Sequence, residues 1–301
     1  KGDILDLFPE ASRDGVFVAD YERLRRSTPI EARVAIVRKF LPAGRCVLKP
    51  DQGERGAGVV VIDSEGAAEE WLRSCPYDAI VQAFVAGDEF GIAWSRNPET
   101  GSGEIHSIAR KVLPSLTGDG VSMVEDLILR GDRTVAMAPL HLRAQASRLA
   151  AIPALGERVS LGDLGTHARG ATFYDARDLA TPSLEAAFER FLADVPGVDF
   201  GRFDVRSPSP EALRAGRCIA VLEFNGVTGE AAHVYQPGYP WHRGVVDMIR
   251  HLRRATRIGV HNRKNGHAPA TLGQLWGVVR DAFRRPKFDP RPADWGEQRP
   301  Q

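Results

Sequence analysis

The sequence predicts an α+β fold, because short runs of strand composition recur in pairs and few helical segments lie between them. The first pair comprises residues 45–49 and 58–62, which are joined by a loop that carries three glycines. The second pair comprises residues 78–85 and 89–96, which turn at Gly87 and Asp88. Since short turns join these strands, the sequence indicates a mixed sheet with few helices on it.

The remaining elements follow from changes of period along the chain. Helical composition at 65–74 ends at Cys75 and Pro76, and the loop NPETGSG leads into a strand at 104–113. Beyond it, the pattern predicts helices at 121–130 and 140–151, a polar stretch at 156–172, a helix at 182–193, strands at 198–206 and 217–224, and a helix at 244–256. From Pro286 onward, the proline and charge content predicts a tail.

Charge and composition exclude several classes of function. A net charge of +1 provides no extended basic surface, so we expect no nucleic-acid partner. The basic runs at 250–257 and 261–264 are typical of a solvated helix face, with a nucleic-acid site as the alternative. No apolar run reaches the roughly 18 residues of a membrane span, so no membrane partner is expected within this segment. Three widely spaced cysteines indicate a reducing compartment, and we expect a cytoplasmic protein.

Two predicted strands in the C-terminal half of the chain, at 198–206 and 217–224, each have a polar face, because polar and apolar residues alternate along them. In GRFDVR, Arg202, Asp204 and Arg206 share one face, and the two apolar residues between them point to the other. In CIAVLEFN, the polar pair is Glu223 and Asn225, and the residues predicted on the opposite face are Ala220, Leu222 and Phe224. If the connecting SPSPEALRAG is a hairpin loop, the two strands are neighbours and their polar faces coincide.

The coinciding faces would form a cluster of hard oxygen donors from Asp204, Glu223 and Asn225. Such donors suit Mg²⁺, or Mn²⁺ in its place, better than zinc. The alternative is the solvated face of an antiparallel sheet, on which Arg202 and Arg206 neutralise the acids in weak surface pairs.

The stretch CVLKPDQGERGAGVVVI places Lys49 at the end of an apolar strand, just before the glycine loop at 51–58. Backbone N–H groups of a glycine-rich loop can close over phosphate oxygens, and a lysine at the strand end supplies a point charge for the same oxygens. The loop lacks the Gly-Lys-Ser/Thr of a P-loop, so a simple mobile hairpin is the alternative.

Four blocks in this order resemble the ATP-grasp carboxylate-amine ligase family, the group that includes D-alanine:D-alanine ligase and parts of cyanophycin and glutathione synthetases. The blocks are LKPDQGERGAGV, IVQAFVAGDEF, LTGDGVSMVEDLI, and GRFDVR followed by VLEFNGVTGE, and together they cover residues 45 to about 235. The resemblance implies an ATP-grasp fold with two α+β lobes and ATP held between their sheets. The implied divisions are an N-terminal segment at 1–44, a small lobe at 45–85, a large lobe at 86–258 and a C-terminal extension at 259–301.

For the nucleotide, the resemblance implies a role for each matching residue. Lys49 would contact the α- and β-phosphates, and Glu89 would receive the ribose hydroxyls. The loop that covers the phosphates would contain Gly53, Gly56 and Gly58, and the segment that meets the adenine edge would contain Gln82, Ala83, Phe84 and Val85. Two local alternatives are a polar strand-edge role for Gln82 and a turn-capping role for Glu89.

For the chemistry, the resemblance implies that Asp204, Glu223 and Asn225 bind magnesium, with two ions usual in the family, and that Arg202 steadies the developing oxyanion. A substrate carboxylate would be activated as an acyl phosphate, and an amine would then displace phosphate to form an amide or peptide bond. The expected partners are therefore a small-molecule carboxylate and an amine. Two alternatives are a small-molecule kinase on the same fold and a regulatory nucleotide-binding module of a larger protein.

The sequence departs from the family pattern after Asn225, where the run GVTGE at 226–230 stands in place of a proline-glycine turn. Gly229 can still give the turn, but Glu230 adds a carboxylate where the amine substrate would approach. Glu230 is predicted either to bind a cationic amine or to be a helix-terminal acid. The residues predicted near the acceptor substrate are His167, Arg169, Arg206, Gly229 and Glu230, with Thr172, His233 and Tyr235 as further candidates. The alternative for His233 and Tyr235 is aromatic packing against the final helix, and the alternative for Arg206 is pairing with an acid. Alternation allows only one of Arg110 and Lys111 to face the cleft, where it would reach the γ-phosphate.

The front of the chain also differs from the family. Only Lys1 and Lys39 precede Lys49 as candidates for a second phosphate-binding lysine. The chain begins at Lys1 rather than at methionine, which leaves an upstream domain, a targeting segment or an anchor as open alternatives. A homo-oligomer is a further open alternative.

Overall fold

The computed structural model describes residues 1–8, 15–53, 56–284 and 288. Its strands are β1 Val16–Val18, β2 Tyr21–Leu24, β3 Cys46–Pro50, β4 Val60–Ile62, β5 Ala79–Ala83, β6 Asp88–Arg96, β7 Gly103–Val112, β8 Ser115–Thr117, β9 Arg158–Ser160, β10 Thr172–Asp175, β11 Phe200–Ser207 and β12 Ile219–Asn225. Its α-helices are α1 Gly2–Leu5, α2 Ile30–Arg38, α3 Glu65–Ser74, α4 Val124–Arg130, α5 Ala138–Ala144, α6 Pro182–Phe191, α7 Pro210–Arg214, α8 Trp241–Lys264 and α9 Leu272–Arg284. Among these described helices, none combines the length and apolar character needed to cross a bilayer.

The larger sheet has six strands in the order β1-β12-β11-β6-β7-β10, and its neighbours are antiparallel except for the parallel pair β1 and β12. Helix α6 covers one face of it. Thr181 caps α6 by accepting a hydrogen bond from the N–H of Leu184, and Pro182 occupies the first turn. The buried residues of α6 recur at helical spacing, and Phe188 packs edge-on against Phe203 of β11. This face forms the main hydrophobic core.

The smaller sheet has four antiparallel strands in the order β2-β5-β3-β4. Helices α2 and α3 supply apolar side chains to its core, with Trp71 and Leu72 of α3 fully buried there. Ser64 caps α3 by accepting from the N–H of Ala67, which is the reason that the helix begins at Glu65. The indole N–H of Trp71 donates to the carbonyl of Gly58, so this core also holds one end of the glycine loop.

A third, two-stranded sheet pairs β8 with β9 and packs on α4 and α5 around a separate small core. The mixed architecture of helices with several sheets confirms the predicted α+β class. Residues before 45 take part in both larger sheets, because β1 is an edge strand of the six-stranded sheet and β2 is an edge strand of the four-stranded sheet.

Strands β11 and β12 are antiparallel neighbours, but their connection contains helix α7, which is capped by Ser209. One prediction about β12 is wrong. Neither Ala220 nor Leu222 shares a face with Phe224. The register passes from Asp204 opposite Glu223 to Val205 opposite Val221, which leaves Leu222 as the extra residue of a bulge and places Ala220 opposite Arg206. The bulge turns Leu222 toward the cleft described below, while Val221 enters the main core.

Other element boundaries differ from the prediction. The helix predicted at 140–151 is the shorter α5, followed by a 3₁₀ turn at Ala146–Arg148. The polar stretch at 156–172 contains strand β9, and the helix predicted at 244–256 is the longer α8. Helix α9 lies where no element was predicted. The predicted tail beyond Pro286 lies outside the described residues except for Phe288, which packs edge-on against Trp71.

Candidate ATP and metal site

A cleft of about 850 Å³ lies between the two larger sheets, and both sheets supply its walls. The predicted site residues that line it are Lys49, Gly53, Gly56, Gln82, Ala83, Phe84, Val85, Glu89, His167, Arg202, Asp204, Arg206, Glu223, Asn225 and Glu230. Three others adjoin it without lining it. Gly58 packs against Pro50 and Phe288, Arg169 donates to the carbonyl of Gly56, and Gly229 packs closely against the backbone of Arg202.

Lys49 joins the two sheets. It is buried at the end of β3, and its Nζ donates to Gln82 Oε1 at 2.9 Å and to the carbonyl of Leu222 in β12 at 3.1 Å. Burial lowers the pKa of Lys49 to about 8, and the nearby carboxylate of Glu223 opposes that shift. Neither acceptor bears a charge, so Lys49 retains a positive charge for an anion in the cleft.

Gln82 is a buried residue rather than a polar residue at a strand edge. Its Oε1 accepts from Lys49, and its Nε2 donates to the carbonyl of Ala19 at 3.3 Å. The segment that follows it is held by arginines on both sides, since Phe84 lies 4.1 Å from the guanidinium of Arg45 and 5.0 Å from that of Arg206. This linking segment is therefore fixed at the junction of the two sheets.

The three predicted metal ligands lie together. Asp204 of β11 is directly opposite Glu223 of β12, and Asn225 Nδ2 lies 3.5 Å from Asp204 Oδ2. Asp204 is buried, which disfavours its ionised form, but Arg202 and Lys111 outweigh burial and hold its pKa below the usual value. Arg202 Nε donates to Asp204 Oδ1 at 2.9 Å, and Lys111 Nζ lies 3.1 Å from Oδ2.

The donor set suits a small, hard cation that brings other ligands with it. No group of three or more His, Cys, Asp or Glu side chains in the described part of the chain could hold a metal by itself. Mg²⁺ does not need such a cage, because it is usually held by one or two carboxylates together with substrate phosphates. Asp204, Glu223 and Asn225 provide two carboxylates and one amide oxygen, so these residues fit Mg²⁺ in the company of a nucleotide.

Of the two basic residues near the end of β7, Lys111 faces the cleft and Arg110 faces away. Lys111 lies between Glu89 Oε1 at 2.9 Å and Asp204 Oδ2 at 3.1 Å. Burial would lower the pKa of Lys111, but these two carboxylates outweigh burial and raise it. Arg110 instead pairs with Asp88 on the opposite face of the sheet.

Glu89 is part of an ion-pair network in the cleft. It accepts from Lys111, and its Oε2 lies 3.2 Å from Arg206 Nη2. Arg206 also donates to the carbonyl of Val85 at 2.6 Å. Arg206 thus pairs with an acid, which was one of its two predicted roles, and at the same time holds the linking segment.

The end of the cleft near Glu230 is lined by aromatic rings and one carboxylate. The ring of His167 lies 4.2 Å from that of Phe173 and 5.5 Å from that of Tyr235, and the hydroxyl of Tyr235 donates to Glu230. Burial and this hydrogen bond raise the pKa of Tyr235 to about 12. His233 is turned away from the cleft, and its two ring nitrogens contact Ser107 Oγ and Asp247 Oδ2.

Sequence reasoning missed the part of the lining formed by residues 163–166 and 168. Gly165 packs so closely on the Glu89 carboxylate that an added Cβ would lie 2.5 Å from Oε1. Thr166 packs on Gly56 of the glycine loop, and its buried Oγ1 has no hydrogen-bond partner among the described residues. The three glycines in GDLGTHARG were the available signal for this close approach.

Lys1 lines the cleft, with Nζ 4.0 Å from Glu223 Oε1. Lys39 instead pairs with Glu22 on the exposed side of the smaller sheet. Of the two candidates for a second phosphate-binding lysine, the structure therefore has Lys1 at the cleft.

No protein-family model matches the chain, and no curated protein sequence matches it. Among solved structures, it is similar to a bifunctional glutathione synthetase from Pasteurella multocida (17% identity, 77% of this chain, TM-score 0.39) and to D-alanyl-alanine synthetase A from Vibrio cholerae (13%, 82%, 0.41). It is also similar to the ATP-grasp ligase PsnB in complex with a minimal precursor (14%, 75%, 0.39).

The chain spans 34%, 61% and 50% of the lengths of these three proteins.

Proposed function

We propose that this chain is the ATP- and Mg²⁺-dependent part of a carboxylate-amine ligase, which activates a carboxylate as an acyl phosphate and couples it to an amine. One observation carries the proposal: a cleft between two sheets brings Lys49, Lys111 and Arg202 to the same space as Asp204 and Glu223. The two lysines suit the phosphates of a nucleotide, Arg202 suits an oxyanion that forms beside them, and the two acids suit the divalent cation that accompanies the nucleotide.

In this proposal ATP lies between the sheets. Lys49 binds phosphate oxygens, and the glycine loop closes over them at the place where Arg169 and Thr166 contact Gly56. The linking segment around Phe84 offers its backbone to the base. Glu89 receives the ribose hydroxyls through the carboxylate oxygens that Lys111 and Arg206 hold in position.

Asp204, Glu223 and Asn225 would hold Mg²⁺, or Mn²⁺ in its place. When bound, the metal would neutralise the charge that gathers on the phosphate oxygens during transfer. Lys111 adds a positive charge beside the same acids, and its pairing with Glu89 would hold that charge in place if Asp204 bound a metal.

The chemistry has two steps. A carboxylate oxygen of the substrate attacks the γ-phosphorus of ATP, and the bond between that phosphorus and the β,γ-bridging oxygen breaks. ADP departs as the leaving group, and the product is an acyl phosphate. The nitrogen of a neutral amine then attacks the acyl carbon. Inorganic phosphate leaves with the bonding electrons, and the amine loses a proton to give the amide. Arg202 stabilises the oxyanion of the tetrahedral intermediate, and the covered cleft excludes the water that would hydrolyse the acyl phosphate.

The acceptor amine approaches past Glu230, Tyr235 and His167. The carboxylate of Glu230 suits an amine substrate that carries positive charge, and the aromatic rings beside it suit the same charge. Arg169 and Gly229 support this end through the glycine loop and through Arg202 respectively. ATP chemistry and three free cysteines fit a cytoplasmic protein.

The test is ATP turnover in Mg²⁺ across a panel of amino acids and small carboxylates, each with and without hydroxylamine as a generic amine. The proposal predicts ADP release that depends on one carboxylate, together with formation of its hydroxamate. Phosphate transfer to an alcohol substrate with no hydroxamate would instead identify a small-molecule kinase. Tight ATP binding with no turnover on any substrate would favour a regulatory nucleotide-binding module.

A further inference from the structure

Helix α8 has an inner and an outer side. Its inner side packs on the larger sheet through the buried residues His251 and Ile258. On its outer side, Trp241, Val245, Ile249 and Leu252 are 81%, 50%, 43% and 56% exposed. Their spacing of four, four and three residues places these side chains in one continuous row, which we call the outer stripe. An exposed apolar row of this kind marks a binding surface.

One edge of the outer stripe is strongly basic. Helix α8 contains seven Arg or Lys residues and only one acid, Asp247, which is partly buried and contacts His233 and Tyr239. Arg253 follows Ile249 by one turn and has no ion-pair partner among the described residues. Beside it, a depression of about 390 Å³ is lined by Arg96, Arg250, Arg253, Arg254 and Arg257, and also by Glu104. Glu104 pairs with Arg254 and Glu99 pairs with Arg257, so the five arginines outnumber the nearby acids and Arg253 keeps its charge unpaired by any described residue.

Helix α9 repeats the pattern. None of its residues is buried. Its large apolar side chains recur on one face at Leu272, Leu275, Trp276, Val279 and Phe283, while Arg280 and Arg284 lie beside that face. A helix of 13 residues is only marginally stable in water by itself, so α9 needs a surface on which to bury this face.

We propose that α8 and α9 dock on an anionic lipid bilayer, with their apolar faces in the headgroup region and their arginines on the lipid phosphates. Exposed Trp and Phe side chains beside arginines are typical of helices that lie in a membrane interface. The depression lined by arginines suits a phosphate-bearing headgroup. Docking of this kind requires no spanning helix.

Charge favours a bilayer over the other occupants of an apolar face. A second copy of this chain would bring its own arginine-rich edge against the first, and each like-charged contact disfavours that pairing. A neutral protein groove would bury Arg253 without an acid. A bilayer surface with anionic lipids instead attracts each arginine and lets its charged end remain in the headgroup layer.

The test is co-sedimentation of the full 301-residue chain with vesicles of phosphatidylcholine alone and of phosphatidylcholine with phosphatidylglycerol. We test two double variants. One carries Ile249→Ser and Leu252→Ser together, and the other carries Arg253→Gln and Arg257→Gln together. The matched control is Val121→Ser with Leu155→Ser, which removes two exposed apolar side chains outside α8 and α9. Circular dichroism and ATP turnover verify that each variant is folded.

We expect binding to the anionic vesicles only, weakened by salt and lost in the Ile249 and Leu252 variant. The arginine variant should bind roughly tenfold more weakly, and the control should bind as the unmodified chain does. Free inorganic phosphate should not displace the protein from the anionic vesicles when the total ionic strength is held constant. Equal binding to both vesicle types, no binding, or competition by free phosphate would overturn the proposal. A dimer that disappears in the same stripe variant, without vesicle binding, would assign the surface to a second copy.

Discussion

The two faces of the six-stranded sheet differ completely although the same strands form both. On the face toward α6, Phe203 packs with Phe188 and Phe224 in a core from which solvent is excluded. On the other face, one residue away along the chain, Arg202 and Asp204 form an ion pair in the cleft. The two-residue alternation of side chains along these strands therefore supplies the core on one face and the site on the other. A substitution on the core face should change stability and spare catalysis, and a substitution on the cleft face should do the reverse.

On the cleft face, buried charged side chains are stabilised by ion pairs with one another. Lys111 lies between Glu89 and Asp204, and Arg202 and Arg206 each pair with one of these acids. Since burying an unpaired charge is costly, the cations and acids hold each other in place. Phosphates and a divalent metal would enter by exchanging partners within this network.

The largest expected effect is loss of turnover when the metal site loses one charge. Asp204→Asn keeps the shape of the side chain but removes the charge that a metal needs, and we expect at least about a hundredfold lower Mg²⁺-dependent turnover. Steady-state ADP release measures it. The control Asp88→Asn makes the same change on the opposite face, where the partner is Arg110. Full activity in Asp204→Asn would contradict the assigned metal site.

The next effect lies on the other face and should appear in stability. Phe203→Ala empties a fully buried position between aromatic rings, so the free energy of unfolding should fall by about 3–5 kcal/mol. Urea unfolding measures the change, and turnover per folded molecule should remain close to that of the unmodified protein. A stable variant with impaired catalysis would show that the two faces are not separable.

The third prediction divides catalysis from binding within the cleft. Arg202→Gln should lower kcat by roughly a hundredfold while the Kd for ATP changes much less, because the guanidinium is proposed to act on the oxyanion. Arg110→Gln, on the face away from the cleft, is the matched control. The reverse pattern, with weak ATP binding and an ordinary kcat, would reassign Arg202 to the nucleotide.

The fourth prediction concerns the lysine that joins the two sheets. Lys49→Met keeps the length of the buried side chain and removes its charge, so the Kd for ATP should rise by roughly tenfold or more. Lys39→Met removes an exposed lysine from the smaller sheet and should leave the Kd unchanged. Calorimetric titration with ATP separates the two. Equal affinities in both variants would remove Lys49 from the phosphate site.

The smallest effect is a pH dependence. Burial lowers the pKa of Lys49 from 10.5 to about 8, so the charged form is lost as the pH rises through that value. ATP affinity should therefore fall by at most about tenfold for each pH unit above the pKa. Between pH 8 and 10.5 the unfolded chain binds the extra proton, so the ligand-free protein should gain stability from this group over the same window. Lys49→Met should lack both trends.

Much of the sheet face was predictable from the sequence, because alternation depends on local geometry. Arg202, Asp204 and Arg206 share a face as predicted, and Glu223 lies opposite Asp204. The bulge at Leu222 was not predictable, since an extra residue in one strand shows only when its partner strand is known. For the same reason the contact of Lys49 with the carbonyl of Leu222 could not be foreseen.

The contacts between elements that are distant in the chain could also not be predicted from the sequence. Residues 163–168 approach Glu89 and the glycine loop from a distant part of the chain, and no local period marks them. Helix α9 carries a clear helical pattern from Leu272 to Phe283 that was assigned to a C-terminal extension without an element. Local pattern identifies an element, but only tertiary packing decides what that element touches.

The proposed ligase activity depends on transfer of the γ-phosphate of ATP to a carboxylate. The most direct measurement supplies the accepted carboxylate with its oxygens labelled by a heavy isotope and determines the isotope content of the released phosphate by mass spectrometry. The account predicts that each phosphate carries one labelled oxygen, because the acyl carbon–oxygen bond breaks when the amine attacks. Phosphate without label would show that it comes from ATP by attack of water, and would contradict the account.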